Sequence, residues 1–187
     1  TTLEAADTPV MDRLAKGAEV GLVHMVPAGM APGSDTANLS VIGYDPKQYY
    51  TGRSPLEALS IGVPMKDTDI AIRCNVVTLS EEESAYEKRP MIDHSAEEIT
   101  TEEADELLKA VKEVFSGQTY QFYTGTSYRH LLIWDQGYVA ELTPPHDILT
   151  KEIGSYLPDD DMLCEMMKRS YDILEAHPVN VKRRQAG

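Results

Sequence analysis

No stretch of this chain is apolar for long enough to cross a bilayer, and its first residues carry no apolar run of the secretory kind. The cytoplasm is therefore the expected compartment. Among its 187 residues there are only two cysteines, Cys74 and Cys164, far apart and outside any CxxC pattern, which fits two reduced thiols better than a disulfide. Basic residues are also scarce, 17 against 31 acidic ones, for a net charge of −14. A nucleic-acid partner needs a basic footprint to displace counterions, and an anionic membrane attracts only basic surfaces, so both are excluded as partners. The common phosphate and hydrolase signatures are missing as well: no GxxxxGK[ST] loop, no GxGxxG, no HExxH and no GxSxG. Five scattered histidines indicate no self-contained zinc site.

What is present suits a folded domain: 42% hydrophobic residues and enough length for one core, or for one domain with part of another. Much of the acidity lies in Glu81–Glu83, Glu97-Glu98, Glu102-Glu103 and Asp159–Asp161, read as solvated loops and helix starts, where carboxylates complement the dipole.

Thr8-Pro9 opens a short helix with Val10, Met11, Leu14 and Ala15 on one face, ending at Gly17. Glu19 to Val26 reads as a strand. Ser54-Pro55-Leu56-Glu57 has capping-box spacing and should open a helix ending near Gly62. Asp69 to Leu79 reads as one strand covered on both faces, with Arg73 and Asn75 as polar exceptions on one side. Arg73 is then either a ligand contact at a strand end or one half of a salt bridge. Ser80 to Ile99 is acidic and irregular, and its lone His94 is left outside the site. Thr100-Thr101-Glu102-Glu103 caps a helix whose stripe is Ala104, Leu107, Leu108, Val111, Val114 and Phe115. Strands are expected at Tyr120–Tyr123, at His130–Trp134 and, after a turn at Asp135-Gln136-Gly137, at Tyr138–Leu142 as a hairpin. A last helix, from Met162 to Leu174, stops before Pro178.

The most informative segment is Pro32-Gly33-Ser34-Asp35-Thr36-Ala37-Asn38-Leu39-Ser40-Val41-Ile42-Gly43-Tyr44. A Pro-Gly turn delivers a serine to the start of a short helix, where backbone N–H groups and the dipole favour an anion. The ordinary reading of Ser34 is an N-cap. The segment continues through Asp45-Pro46 and Tyr49-Tyr50-Thr51-Gly52-Arg53-Ser54-Pro55-Leu56-Glu57-Ala58. Further blocks follow at Ile72–Thr78, Ser127–Leu132, Thr143–Asp147 and His177–Asn180. Together these blocks, spread over essentially the whole chain, resemble the cofactor-independent phosphoglycerate mutases of the archaeal type, in the alkaline phosphatase superfamily.

That resemblance implies an α/β fold in which a partial phosphatase-like core limb carries the nucleophile and an inserted mixed-sheet α/β domain caps the substrate. The expected division is residues 1–75 for the core limb, 76–177 for the inserted domain, closing as a hinged lid, and 178–187 for the return to the core. It implies Ser34 as the phosphorylated nucleophile and as a metal ligand, with Asp35 and Asn38 lining the phosphate. Arg73, Asn75, Arg129 and Arg183 would hold the anionic groups of the substrate, with Arg53 and Arg184 as lesser candidates. His130, His146 and Asp147 would orient hydroxyls or move protons. Two divalent cations, Mn, Zn or Mg, are implied, with their other ligands outside this chain, and no 2,3-bisphosphoglycerate. The substrate is a small phosphoglycerate, and oligomeric state is left open.

Members of that family begin with a metal-binding Asp-Gly after a first strand and end with a second half carrying more ligands. The expectation is therefore a fragment, inactive by itself. Two other readings stand beside the mutase: a homoserine kinase-like phosphotransferase on the same scaffold, and a non-catalytic anion-binding or assembly domain.

Overall fold

A computed structural model describes residues 2–19, 21–83 and 85–186. The chain is a mixed α/β protein that divides into two compact units, residues 1–51 and 52–187.

The first unit is helical. Its segments are α1 (Thr2–Ala5), α2 (Pro9–Gly17), α3 (Ser34–Val41) and α4 (Pro46–Tyr49). Proline begins α2 as expected, but Thr8 spends its hydroxyl on the Asp12 carboxylate at 3.0 Å rather than on a backbone cap. The apolar residues of α2 are exposed, Leu14 by 65%. The strand expected from Glu19 to Val26 does not form: residues 21–25 are irregular, and Val20 lies outside the described residues. A strand needs a partner for its N–H and C=O groups, and no sheet partner for this segment exists among the described residues. Asp45 caps α4, its carboxylate accepting the Lys47 amide at 2.9 Å.

The second unit is built on a three-stranded antiparallel sheet, order β1-β5-β4, with β1 at Asp69–Asn75, β4 at Tyr120–Tyr123 and β5 at Arg129–Asp135. A smaller pair joins β2 (Thr78–Leu79) to β3 (Met91–Asp93). The single strand expected from Asp69 to Leu79 is thus broken at Val76-Val77 and serves two sheets. The strand expected at Tyr138–Leu142 is absent, because β1 and β4 already occupy both edges of β5. That segment instead leans on the neighbouring side chains, with Tyr138 edge-on to Trp134 at 4.9 Å and donating its hydroxyl to Asp160 at 2.6 Å. Gly137 is required there, since a Cβ would lie 2.5 Å from the Trp134 ring.

Alternation along the strands gives the sheet two covered faces. On one, Ile72, Leu132 and Trp134 meet Leu163 and Met166 of α7 (Asp161–Glu175). On the other, Leu131 and Ile133 meet Ala58 of α5 (Arg53–Ser60) and Val63. The α5 start corrects the expected capping box: Gly52, at φ +118°, is the N-cap, and Ser54 lies inside the first turn. Glu57 is thereby released from capping to pair with arginines. The N-cap of α6 (Thr101–Phe115) does form, with the Glu103 amide donating to Thr100 Oγ1 at 3.2 Å and the Thr100 hydroxyl donating to the Glu103 carboxylate at 3.1 Å. Asp160 caps α7 through the Leu163 amide at 2.7 Å. Beyond Pro178 the chain forms α8 (Pro178–Ala186) rather than a simple connection, and Val179 packs against Ala104 and Leu107. Both cysteines are free thiols.

The chain before α6 contains three successive left-handed residues, Ala96, Glu97 and Glu98, at φ +48°, +56° and +51°. Asp93 holds this turn by accepting the Ser95 amide at 2.9 Å and the Glu97 amide at 2.5 Å. An L-residue in this region costs about 1–2 kcal/mol that glycine avoids. Glu97 is exposed, so Glu97→Gly is expected to stabilise the chain by ~0.5–1 kcal/mol, read as a higher urea midpoint at unchanged slope.

Candidate functional site

Ser34 is the first residue of α3, and the N-cap is Gly33. The N-cap reading of Ser34 is therefore corrected. Its hydroxyl is exposed and makes no hydrogen bond among the described residues. Asn38, one helical turn on, is exposed on the same side, since i and i+4 share a face. Asp35 is held in place: Oδ1 accepts the Thr36 amide at 2.9 Å and Oδ2 accepts the Tyr50 hydroxyl. A Cβ at position 33 would lie 2.3 Å from Asp35 Oδ1, so glycine there keeps the approach to the helix start open. The first unit thus brings Ser34, Asp35 and Asn38 together at one helix end.

In the second unit, Asn75 and Arg129 are directly paired in register, so their side chains share a face of the sheet. The Arg129 guanidinium is half-buried, 5.4 Å from the Tyr128 ring, and has no carboxylate partner among the described residues. His94 stands edge-on to Tyr128 at 5.8 Å and to His146 at 6.1 Å, and its carbonyl accepts the Asn75 side-chain amide at 3.3 Å. Asp147 lies 3.6 Å from His146. Asn75, Arg129, His146 and Asp147 are therefore one cluster, at the end of the sheet where β5 begins. His94, left outside the site on sequence grounds, stands beside them. A lone histidine in an acidic loop carries no local signal; the turn after β3 and the aromatic at position 128 place it.

Arg73 lies two residues from Asn75 on the same strand face, diagonal to Arg129, a relation that sets Cβ atoms about 7–8 Å apart. It sits in mid-strand rather than at a strand end, with its Nε 3.4 Å from Glu57 Oε2, while Arg53 holds the other oxygen of Glu57 at 3.2 Å. The salt bridge read for Arg73 is present, while its buried Nε makes no hydrogen bond among the described residues. Arg184 likewise donates to the Glu175 carbonyl at 2.6 Å.

Two expected site residues are placed elsewhere. Arg183 bridges α8 to Glu103 at 3.0 Å and to the Ala96 carbonyl at 2.8 Å, which makes it a clasp for the left-handed turn. His130 follows Arg129 in an extended strand and so points to the opposite face, beside Cys74 in register. It is 2% exposed, its Nδ1 accepts the Gly125 amide at 3.2 Å, and its Nε2 finds no partner among the described residues. A direct role at substrate hydroxyls does not fit that enclosure.

Burial, aided by Lys112 and opposed by Asp105, lowers the His130 pKa from 6.5 to about 4. The unfolded chain then binds a proton below about pH 6.5 that the folded chain refuses until about pH 4, so stability falls as pH falls through that window. The expected loss at pH 5 relative to pH 7 is about 2 kcal/mol, measured by urea unfolding. In His130→Asn, which keeps an acceptor but cannot be protonated, that component of the slope should vanish.

Comparison with known proteins gives a consistent result. The sequence model of the 2,3-bisphosphoglycerate-independent phosphoglycerate mutases matches residues 15–180. A protein of that name from Methanosarcina barkeri is 44% identical over the whole of this chain and 46% of its own length. A probable mutase of the same name from Geobacter sulfurreducens is also 44% identical, over the whole chain and 47% of its length. The chain thus spans about half the length of these relatives. Among solved structures, the cofactor-independent phosphoglycerate mutase of Thermoplasma acidophilum aligns with TM-score 0.55 and 28% identity, over 87% of this chain and 44% of that one.

Proposed function

Because the chain belongs to the 2,3-bisphosphoglycerate-independent phosphoglycerate mutase family, we propose that it moves a phosphoryl group between the 3- and 2-hydroxyls of glycerate by way of Ser34. The observation that carries this is the exposed Ser34 hydroxyl at the start of α3, spared from capping by Gly33 and used by no other group among the described residues. Ser34 Oγ attacks phosphorus, its proton departs, and the bond from phosphorus to the glycerate oxygen breaks, that oxygen taking up a proton. The other hydroxyl of the same glycerate then attacks phosphoserine and restores Ser34. Asp35 and Asn38 flank the phosphate.

The Arg129 cluster binds the glycerate carboxylate, for which a planar guanidinium offers two parallel hydrogen bonds. His94 and His146 line the same cluster. Residues 76–177 act as the capping domain that keeps water from phosphoserine. The names of the relatives favour neither a homoserine kinase nor a non-catalytic domain.

Two divalent cations, Mn, Zn or Mg, are part of the proposed enzyme, with Ser34 as one ligand. Among the described residues no group of three or more His, Cys, Asp or Glu side chains is placed to hold one. The residues here do not make a complete metal site, and residues 1–187 alone are expected to turn over no substrate. Among the described residues no helix is long and apolar enough to cross a membrane.

The test is quenched-flow labelling with 32P-labelled 3-phosphoglycerate followed by peptide mapping. Label on the peptide containing Ser34 supports the reading; label on another residue, or none with turnover intact, refutes it.

A further inference from the structure

Arg129 is the first residue of β5, paired with Asn75, and the Tyr128 carbonyl accepts the Val76 amide at 2.9 Å; the turn that leads into them from β4, residues 124–127, lies outside the ladder. The turn is held by specific ties. The Ser127 amide donates to Thr101 Oγ1 at 3.0 Å, the Ser127 hydroxyl to the Ile99 carbonyl at 2.7 Å, and the Arg129 amide to the Thr126 carbonyl at 3.1 Å. Ser127 is left-handed at φ +54°, and a Cβ at Gly125 would lie 2.1 Å from the Arg129 carbonyl oxygen. The turn is therefore tight, and Gly125, at its start, needs a partner of its own for its amide. What holds it is His130.

A core position that is 2% exposed, packed beside a leucine-rich strand, would ordinarily be filled by an aliphatic residue. Here an imidazole occupies it at the expense of an Nε2 with no partner among the described residues, and a buried polar atom left unpaired is destabilising. The one atom of this ring put to use is Nδ1, the acceptor for the Gly125 amide.

We propose that His130 is a positioning residue for the anion-binding Arg129: its Nδ1 anchors Gly125, which packs against the Arg129 carbonyl, and so sets the turn that leads into Tyr128 and Arg129. The proposal rests on the reading of Arg129 as the carboxylate-binding group. Burial, with help from the Lys112 ammonium and against the Asp105 carboxylate, leaves the imidazole neutral at physiological pH, so that Nδ1 remains an acceptor.

Three substitutions in the full-length protein separate this from a packing role. His130→Asn places an amide oxygen near the position of Nδ1, His130→Gln carries it past that position, and His130→Leu removes it. Binding of 3-phosphoglycerate is measured by calorimetry, KM and kcat in the mutase assay, and exchange of the Gly125 amide by NMR. The Asn variant is expected to stay within about threefold of the wild-type Kd, with Gly125 still protected. The Gln and Leu variants should lose that protection and bind at least about tenfold more weakly, with the effect in KM rather than kcat. If Leu fails to fold, the comparison of Asn with Gln carries the test. Equal affinity in Asn and Gln, or a Gly125 amide that stays protected in Gln, overturns the proposal. Failure of the wild type itself to bind 3-phosphoglycerate overturns the mutase reading, and the proposal with it.

Discussion

Ser34→Ala is expected to abolish mutase turnover, by about 10⁴-fold or more, while leaving stability within about 0.5 kcal/mol of wild type. The two halves of this expectation come from one feature. Since Gly33 is the cap and the Ser34 hydroxyl makes no hydrogen bond among the described residues, its removal takes none from the fold. The same removal takes away the only oxygen on this residue that could accept the phosphoryl group. Turnover of 3-phosphoglycerate to 2-phosphoglycerate, measured at the length shared by the relatives, together with a urea melt, checks both halves. Near-normal mutase activity would sink the nucleophile assignment, and a loss of 2 kcal/mol in stability would mean that the hydroxyl has a structural duty.

Arg129→Ala is expected to raise KM for phosphoglycerate by roughly 10–150-fold, the equivalent of a charge-assisted hydrogen-bonding contact worth about 1.5–3 kcal/mol. The guanidinium has no carboxylate partner among the described residues, so little stability should go with it. Arg183→Ala provides the contrast. It breaks the contacts to Glu103 and the Ala96 carbonyl, so it should lower the melting temperature and leave KM near wild type once folded. Reversed outcomes, with Arg129 affecting stability and Arg183 affecting KM, would exchange the roles assigned to the two residues.

The helices α6 and α7 were legible in the sequence because their caps and apolar stripes are local. Thr100 with Glu103, and Asp160 with Leu163, lie within one turn of each other. The strands were less legible because a strand is defined by its neighbour. Tyr138 to Leu142 has strand composition but meets a strand whose edges are already taken, and residues 21–25 meet none. Ser54 was misread for another reason: its capping-box pattern with Glu57 is local, but the helix begins two residues earlier, where Gly52 at φ +118° is the N-cap. At the site, the turn and helix around Ser34 were visible locally, while its reading as a nucleophile came from the family resemblance. The opposite orientations of Arg129 and His130 follow from alternation alone, but reading them required knowing which face α5 covers.

The order β1-β5-β4 also has a consequence during synthesis. The middle strand is the last of the three to be made, and more than fifty residues separate every residue of β1 from its partner on β5. At a ribosomal pace of about 5–20 residues per second, β1 waits several seconds with both edges open. The hairpin of β4 and β5 closes locally and fast, whereas docking β1 must close a long loop. A nascent chain halted before residue 129 therefore displays Ile70, Ile72 and Cys74 as an unpaired strand, and chaperone capture should concentrate in that interval of translation.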